Sequence, residues 1–361
     1  MKKVSIYNFF LILPILILLS IQSVRAEEIF LGTSGGNIND VNRTFCCSGT
    51  LGALVHDINY QYILSNNHVL AMTNTGVIGD DIIQPGLIDQ SPVCYQDTND
   101  VVADLSDFVP ISFTKRTINL VDAAIAKVRI DKVNSSGSIL NIGPVSISTV
   151  PPTINMEVQK NGRTTGLTTG TVTAVDVTVR VSYNKTCGKG SQTATFTNQF
   201  IISSAGFSAG GDSGSLIVEN CSPYPRAVGL LFAGSNTTTV ANPINNVLSG
   251  LSVSMVGVGS YCTVSTTGIG NTSMTKQLQL PPQANERAKE AVRKVKERHE
   301  ESILDIDGVV GVGIGLSETV PGQVVIEVYT KKPTHQMSRV IPETLESIPV
   351  KMIETGEIIA F

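Results

Sequence analysis

The sequence predicts an all-β protein followed by a small α+β domain, and three observations carry that prediction. From about Phe45 to Cys262, short β-type runs alternate with turn residues, which is how a β-barrel or sandwich reads. The chain is rich in Gly, with 32 of them, and in Ser and Thr; it carries only 16% charged residues and has no Trp. Beyond residue 283 the texture changes to a charged helical stretch and then two further β-type runs.

Each element has its own signature. Thr50–Val55, Tyr60–Ser65, Ala123–Val128, Thr171–Val179, Ser215–Val218 and Ala227–Phe232 are the clearest strands, several alternating apolar with polar side chains as half-buried antiparallel strands do. Residues 263–282, Thr- and Ser-rich and closed by Pro281-Pro282, read as a linker. Asn285 to Glu300 reads as an amphipathic helix, with Ala284, Ala288, Ala291, Val292 and Val295 on one side. Gly308–Gly315 and Val324–Tyr329 follow as strands, then a short Pro-led helix near Pro342 to Glu346, then Ile348–Ile353. At the other end, Met1-Lys2-Lys3, the apolar run Phe9–Leu19 and the small residues around Val24-Arg25-Ala26 form an export signal over residues 1–26. That run is shorter than a bilayer span and is broken by Pro14, so an anchor is disfavoured. The division is therefore 1–26 signal, 27–44 an N-terminal segment, 45–262 the β domain, 263–282 linker and 283–361 the α+β domain.

A net charge of −4 gives no electrostatic footprint for nucleic acid or another polyanion. Cys46, Cys47, Cys94, Cys187, Cys221 and Cys262 are expected to form disulfides outside the cytoplasm, extracellular or periplasmic. Their spacing lacks the Cys-x-x-Cys and His pairs of a zinc site. Adjacent Cys46 and Cys47 are expected to bridge elsewhere rather than to each other, with the connectivity open. Asn42, Asn184 and Asn236 open N-x-Thr acceptor sites, relevant only in a glycosylating cell.

The chemistry concentrates in three places. In Gly210-Gly211-Asp212-Ser213-Gly214 a serine stands on a tight turn entering a strand, where flanking glycines let the amides of Gly211 and Ser213 point at a developing oxyanion. His68 closes Ser65-Asn66-Asn67-His68 at the end of a strand and the start of a polar turn, where an imidazole can act as a base. A carboxylate must orient that imidazole. Asp122, at the mouth of the apolar run Ala123–Val128, fits better than Asp104 or Asp107, whose surroundings read as a solvent-facing edge. His56, His299 and His335 fall in segments that give them no such role.

With these residues in the chain order His, Asp, Ser, the sequence resembles the trypsin/chymotrypsin-like serine peptidases over residues 45–262. It resembles in particular the secreted bacterial members that carry Ser-Asn-Asn-His-Val and Gly-Arg-Thr-Thr-Gly, here Ser65–Val69 and Gly162–Gly166. The resemblance implies a chymotrypsin-like double β-barrel acting on polypeptides without a cofactor or metal, with nucleophile Ser213, base His68, orienting acid Asp122 and oxyanion amides of Gly211 and Ser213. It departs from the digestive enzymes in two respects. No Cys follows His68, and no Ile-Val-Gly-Gly start exists to pair with Asp212, which needs another partner. Phe207 is expected at the base of the primary pocket and Phe232 to Gly234 along its wall. An aromatic base disfavours basic substrates and points to small or apolar ones.

A nucleophile-elbow esterase is excluded, because Gly211-Asp212-Ser213-Gly214 is not Gly-x-Ser-x-Gly and that fold places His last. The alternative is a peptidase-fold binding protein without turnover. The glycines of Gly311-Val312-Gly313-Ile314-Gly315 lack dinucleotide spacing and read as close strand packing. With Asp307–Gly313, Tyr329–Pro333 and Ile348–Lys351, the C-terminal domain resembles a module that precedes the peptidase in some bacterial relatives. That leaves an interaction, targeting or inhibitory role open.

Overall fold

A computed structural model describes residues 28–115, 117–203, 205–262 and 285–361. The export signal and the linker at 263–282 lie outside the described residues. The first barrel is built from β1 (Thr33–Asn37), β2 (Gly49–Leu51), β3 (Ala53–His56), β4 (Gln61–Ser65), β5 (Asp81–Ile83), β6 (Val101–Phe108) and, after the short β7 (Ile118–Asn119), β8 (Ala124–Val128). A four-residue helix, α1 (Asn67–Leu70), follows β4. β1 lies between β2 (Ser34 opposite Thr50) and β5 (Gly36 opposite Ile83), and the antiparallel path continues through β6, β8 and β4 to β3. Because β2 and β3 are one run interrupted at Gly52, the sheet closes into a barrel. Its interior takes the alternate apolar side chains, among them Leu51, Leu54, Ile63, Ile82, Leu105 and Ala126.

Two features differ from the sequence reading. The barrel begins with Thr33, inside the 27–44 segment set apart above, because β1 supplies the edge that closes the ring. Asp104 lies on β6, between β5 and β8 rather than at an edge, and it pairs with Arg129 at 2.7 Å.

The second barrel comprises β9 (Glu157–Gly162), β10 (Gly166–Tyr183), β11 (Gln192–Ile202), β12 (Leu216–Glu219), β13 (Ala227–Gly234) and β14 (Thr239–Pro243). Pairings β9–β10–β11–β14–β13–β12–β9, all antiparallel, close this ring as well. Helix α2 (Ile244–Leu251) and β15 (Ser254–Met255) then return the chain to β3 of the first barrel. Three disulfides, Cys46–Cys94, Cys47–Cys187 and Cys221–Cys262, use every cysteine. The second ties the first barrel to the β10–β11 hairpin.

The C-terminal unit contains α3 (Glu286–Leu304), β16 (Val309–Leu316), β17 (Val324–Thr330), α4 (Thr334–Met337), β18 (Thr344–Leu345), β19 (Ile348–Glu354) and β20 (Ile359–Ala360). Asn285 caps α3, accepting from the Arg287 N–H at 2.9 Å. The helix buries Val292, Val295, Ile303 and Leu304, but Ala291 is exposed; Ala284 lies outside the described residues. The short helix stands at Thr334–Met337 behind Pro333, whereas the predicted site at Pro342–Glu346 holds β18 instead.

This unit has its own core around Val292, Val312, Ile326 and Val328, yet it is not a separate body. β10 outruns its partner β9, and β16 pairs with the surplus edge, Val175 opposite Ile314 and Thr178 opposite Val312. One 12-stranded sheet therefore runs through both units, and Val310, Tyr329 and Ile358 complete a cluster with Val177, Phe196 and Phe232 of the barrel. Bare glycines permit the approach, since a Cβ on Gly313 would stand 2.8 Å from Val177. Arg293 reinforces the junction at 2.7 Å from Asp176.

Candidate active site

His68 sits in α1 and Asp122 just before β8, both on the first barrel, while Ser213 stands in the turn before β12 of the second. His68 Nδ1 lies 2.6 Å from Asp122 Oδ2, and the His68 backbone N–H donates to Oδ1 at 3.2 Å. Asp122 is fully buried and its carboxylate also accepts from the Tyr183 hydroxyl at 2.8 Å. Its backbone is held from both barrels: Asn66 Nδ2 donates to the Asp122 carbonyl at 2.7 Å, and the Asp122 N–H donates to Asn242 Oδ1 at 3.1 Å. Asn67 anchors α1 through Nδ2 to the Val109 carbonyl at 2.8 Å, so both asparagines of Ser65-Asn66-Asn67-His68 serve to place the imidazole.

The serine turn is cradled from Gly162-Arg163-Thr164-Thr165-Gly166. Thr164 Oγ1 donates to the Gly210 carbonyl at 2.7 Å, and the N–H groups of Thr164 and Thr165 donate to Asp212 Oδ1 at 2.8 and 3.1 Å. The Asp212 partner that the sequence left open is Lys160 on β9, fully buried, with Nζ 3.6 Å from Oδ2. Burial pushes the Lys160 pKa below the ordinary lysine value against the opposing pull of Asp212. Gly211 and Gly214 have φ of +97° and +92°. At Gly214 a Cβ would come within 2.2 Å of the Thr50 carbonyl, so the turn admits only glycine there. The amides of Gly211 and Ser213 donate to no acceptor among the described residues.

Ser213 Oγ donates to the Phe232 carbonyl at 3.1 Å rather than to His68. His68 Nε2 is instead 3.0 Å from the carbonyl oxygen of Phe361, and the Phe361 N–H donates to the same Phe232 carbonyl at 3.3 Å. Of the expected pocket residues, Phe207 is buried in a cluster with Val158, Val172 and Val228, against which Phe361 packs. Phe232 contributes its carbonyl and Gly234 faces the Phe361 ring. Sequence reasoning did not reach Tyr183, Lys160 or Phe361, because each acts across a strand pairing that no local motif records. A cavity of about 630 Å³ opens beyond Phe361, lined by His68, Asp40, Val69, Arg163, Lys189 and Gly211 among others.

Two closed antiparallel barrels meeting at a His/Asp pair on one and a glycine-flanked serine turn on the other define a chymotrypsin-like double β-barrel, followed here by a small α+β domain. A family model described as Nal1 C-terminal domain matches residues 101–247. Similar solved structures include a glutamic-acid-specific serine protease described as using a histidine triad in substrate binding (19% identity, TM-score 0.42, 63% of this chain and 100% of that one). Thermobifida fusca protease A is similar at 18% identity and TM-score 0.41 (64% and 100%). Cellulomonas bogoriensis chymotrypsin is similar at 16% identity and TM-score 0.42 (64% and 100%). No curated protein matches the chain. Among the described residues no helix is long and apolar enough to cross a membrane, and three disulfides fit an oxidising compartment.

Proposed function

We propose that the chain is a secreted serine endopeptidase working through Ser213, His68 and Asp122. The observation that carries this reading is the buried Asp122 carboxylate 2.6 Å from His68 Nδ1, which leaves the opposite ring nitrogen turned toward the cleft, 3.0 Å from the main-chain oxygen of Phe361. In the reaction, the Ser213 hydroxyl attacks the substrate carbonyl while its proton passes to His68 Nε2, and the amides of Gly211 and Ser213 receive the oxyanion. The protonated imidazole then returns the proton to the departing amine, and water releases the acyl group by the reverse sequence. Asp122 fixes the imidazole tautomer and stabilises its cation. The residue roles and the extracellular setting rest on this reading.

The test is labelling with a fluorophosphonate. Disulfide-formed protein lacking residues 1–26 is expected to be modified at Ser213, and His68→Ala to lose the modification. Lack of reaction by unaltered protein, and equally by protein lacking residues 358–361, would leave the second reading, a binding protein without turnover. That reading draws support from the Ser213 hydroxyl facing Phe232 rather than the imidazole.

The pH profile has a defined sign. Burial opposes charge on His68, but the Asp122 charge and hydrogen bond, with the Phe361 carbonyl and Asp40 behind them, outweigh it and raise the imidazole pKa above its ordinary 6.5. Asp40 itself is pushed up to about 6 by burial. A base must be neutral to accept a proton, so kcat/KM is expected to rise with pH along a limb centred above 6.5. A limb centred below that value would contradict the arrangement.

Tyr183 is a positioning residue on this reading. Tyr183→Phe removes one hydrogen bond to a charged carboxylate, a loss of about 1.5–3 kcal/mol. It is expected to lower kcat about tenfold or more with KM little changed. A change confined to KM or to thermal stability would assign the hydroxyl a structural part only.

A further inference from the structure

The end of the C-terminal unit leaves its own sheet and enters the cleft. After β19 the N–H groups of Thr355 and Gly356 donate to the Thr330 carbonyl at 2.9 and 3.2 Å, and Gly356, at φ +75°, turns the chain. The Ile358 carbonyl accepts from the Ser182 N–H at 2.9 Å. β20 is then gripped on both edges: parallel to β10, with Ile359 opposite Ser182, and antiparallel to β13, with Ala360 opposite Ala233 and Ile359 opposite Gly234. Phe361 follows with its N–H on the Phe232 carbonyl and its own carbonyl on His68 Nε2. Its ring fills the space that Gly234 leaves, since a Cβ there would stand 2.7 Å from the ring edge.

We propose that residues 358–361 are a built-in ligand of the acyl side of the cleft, and that the pocket holding Phe361 selects a large aromatic side chain in substrates. This rests on the peptidase reading above. An extended segment that adds to strand edges through main-chain bonds and packs one half-buried side chain against an apolar cluster is held as a bound peptide is held. The pocket's cluster of Phe207, Val158, Val172, Val228 and Phe200 is apolar, so a charged residue there would lack a partner. Lys160, 5.8 Å from the Phe207 ring, is committed to Asp212. Residues 358–361 occupy one side, and Ala360 and Phe361 line the cavity of about 630 Å³ next to them. Anchored through β19 and β10, the segment competes at an effective concentration of about millimolar or more, which a dilute substrate must displace. The unit that shares a sheet with the second barrel thus acts as an inhibitory arm.

The experiment compares three disulfide-formed proteins: the unaltered chain, full-length Phe361→Asp, and a chain lacking residues 358–361. Each is assayed for the rate of fluorophosphonate labelling at Ser213. Each is also assayed for kcat/KM on tetrapeptide chromogenic amides that differ only in the residue before the scissile bond (Phe, Leu, Ala, Lys or Glu). Both variants are expected to label faster and to cleave the Phe amide about tenfold or more better than the unaltered chain, with Phe preferred about tenfold or more over Lys and Glu. Labelling and turnover equal in all three would overturn the inhibitory arm and leave the peptidase reading standing. A preference for Lys or Glu would overturn the pocket assignment. Absence of labelling in all three would sink the peptidase reading itself and the proposal with it. Should the shortened chain fail to fold by circular dichroism, Phe361→Asp decides alone.

Discussion

Ser213→Ala is expected to lower the kcat for peptide hydrolysis by about 10⁶-fold, and His68→Ala by a similar factor. The reason is that proton transfer and bond formation are one event: without the imidazole the hydroxyl is a weak nucleophile, and without the hydroxyl the imidazole has no proton to move. The double variant should therefore be no slower than either single one. Asp122→Asn should cost less, about 10⁴-fold, because it spoils the imidazole tautomer while leaving the nucleophile in place. The readout is single-turnover hydrolysis of a chromogenic peptide, preferably in the background lacking residues 358–361, where the cleft is open. Additive losses in the double variant, or turnover persisting in Ser213→Ala, would place the chemistry elsewhere.

Lys160→Met is expected to destabilise the protein by about 3–5 kcal/mol, because it strands the Asp212 carboxylate in the interior without its cation. Against a total stability of about 5–15 kcal/mol, that loss is severe. Asp212 would keep its bonds from the Thr164, Thr165 and Ala209 N–H groups and from Thr165 Oγ1. Those dipoles orient the carboxylate but do not neutralise it, which is why the charge of Lys160 matters. Adding Asp212→Asn to Lys160→Met should recover much of the loss, as removing both charges lifts the burial penalty. Urea unfolding of the two variants gives the comparison. Equal stability of the single and double variants would show that the pair is not coupled. Because Asp212 adjoins Ser213, the single variant should also slow fluorophosphonate labelling.

Much of the barrel fold was legible in the chain because antiparallel strands with one buried face write their period into the sequence. Val179, Val181 and Tyr183 are buried while Arg180 and Ser182 between them are only half-buried. β1 was missed for a physical reason. Thr33-Ser34-Gly35-Gly36-Asn37 has almost no apolar side chain, since it approaches Leu51 closely enough that only glycine fits at Gly35. The helix misplaced at Pro342–Glu346 followed a proline signal that Pro333 carries equally well, and local propensity does not choose between them. Ala291, counted on the apolar face of α3, is exposed, and the buried side chains of the helix are instead Val292, Val295, Lys296, Ile303 and Leu304.

By itself the sequence determined the residue types and their chain order: a histidine after Asn66-Asn67, an aspartate before an apolar strand, and a serine between glycines. These signals are local, because turns, caps and period-two burial depend on near neighbours. Only the tertiary structure decided which groups meet. Lys160 reaches Asp212 because β9 runs behind the serine turn, and Tyr183 reaches Asp122 because the β10–β11 hairpin leans on the first barrel. The cysteine pairing was decided the same way, since three bridges among six residues are chosen by Cβ proximity and not by spacing. Phe361 meets His68 across nearly the whole chain, because the long strand β10 offers an edge to β16 and so carries the C-terminal unit to the cleft. Contacts between distant segments depend on strand registers set by the packed whole, and no window of sequence contains them.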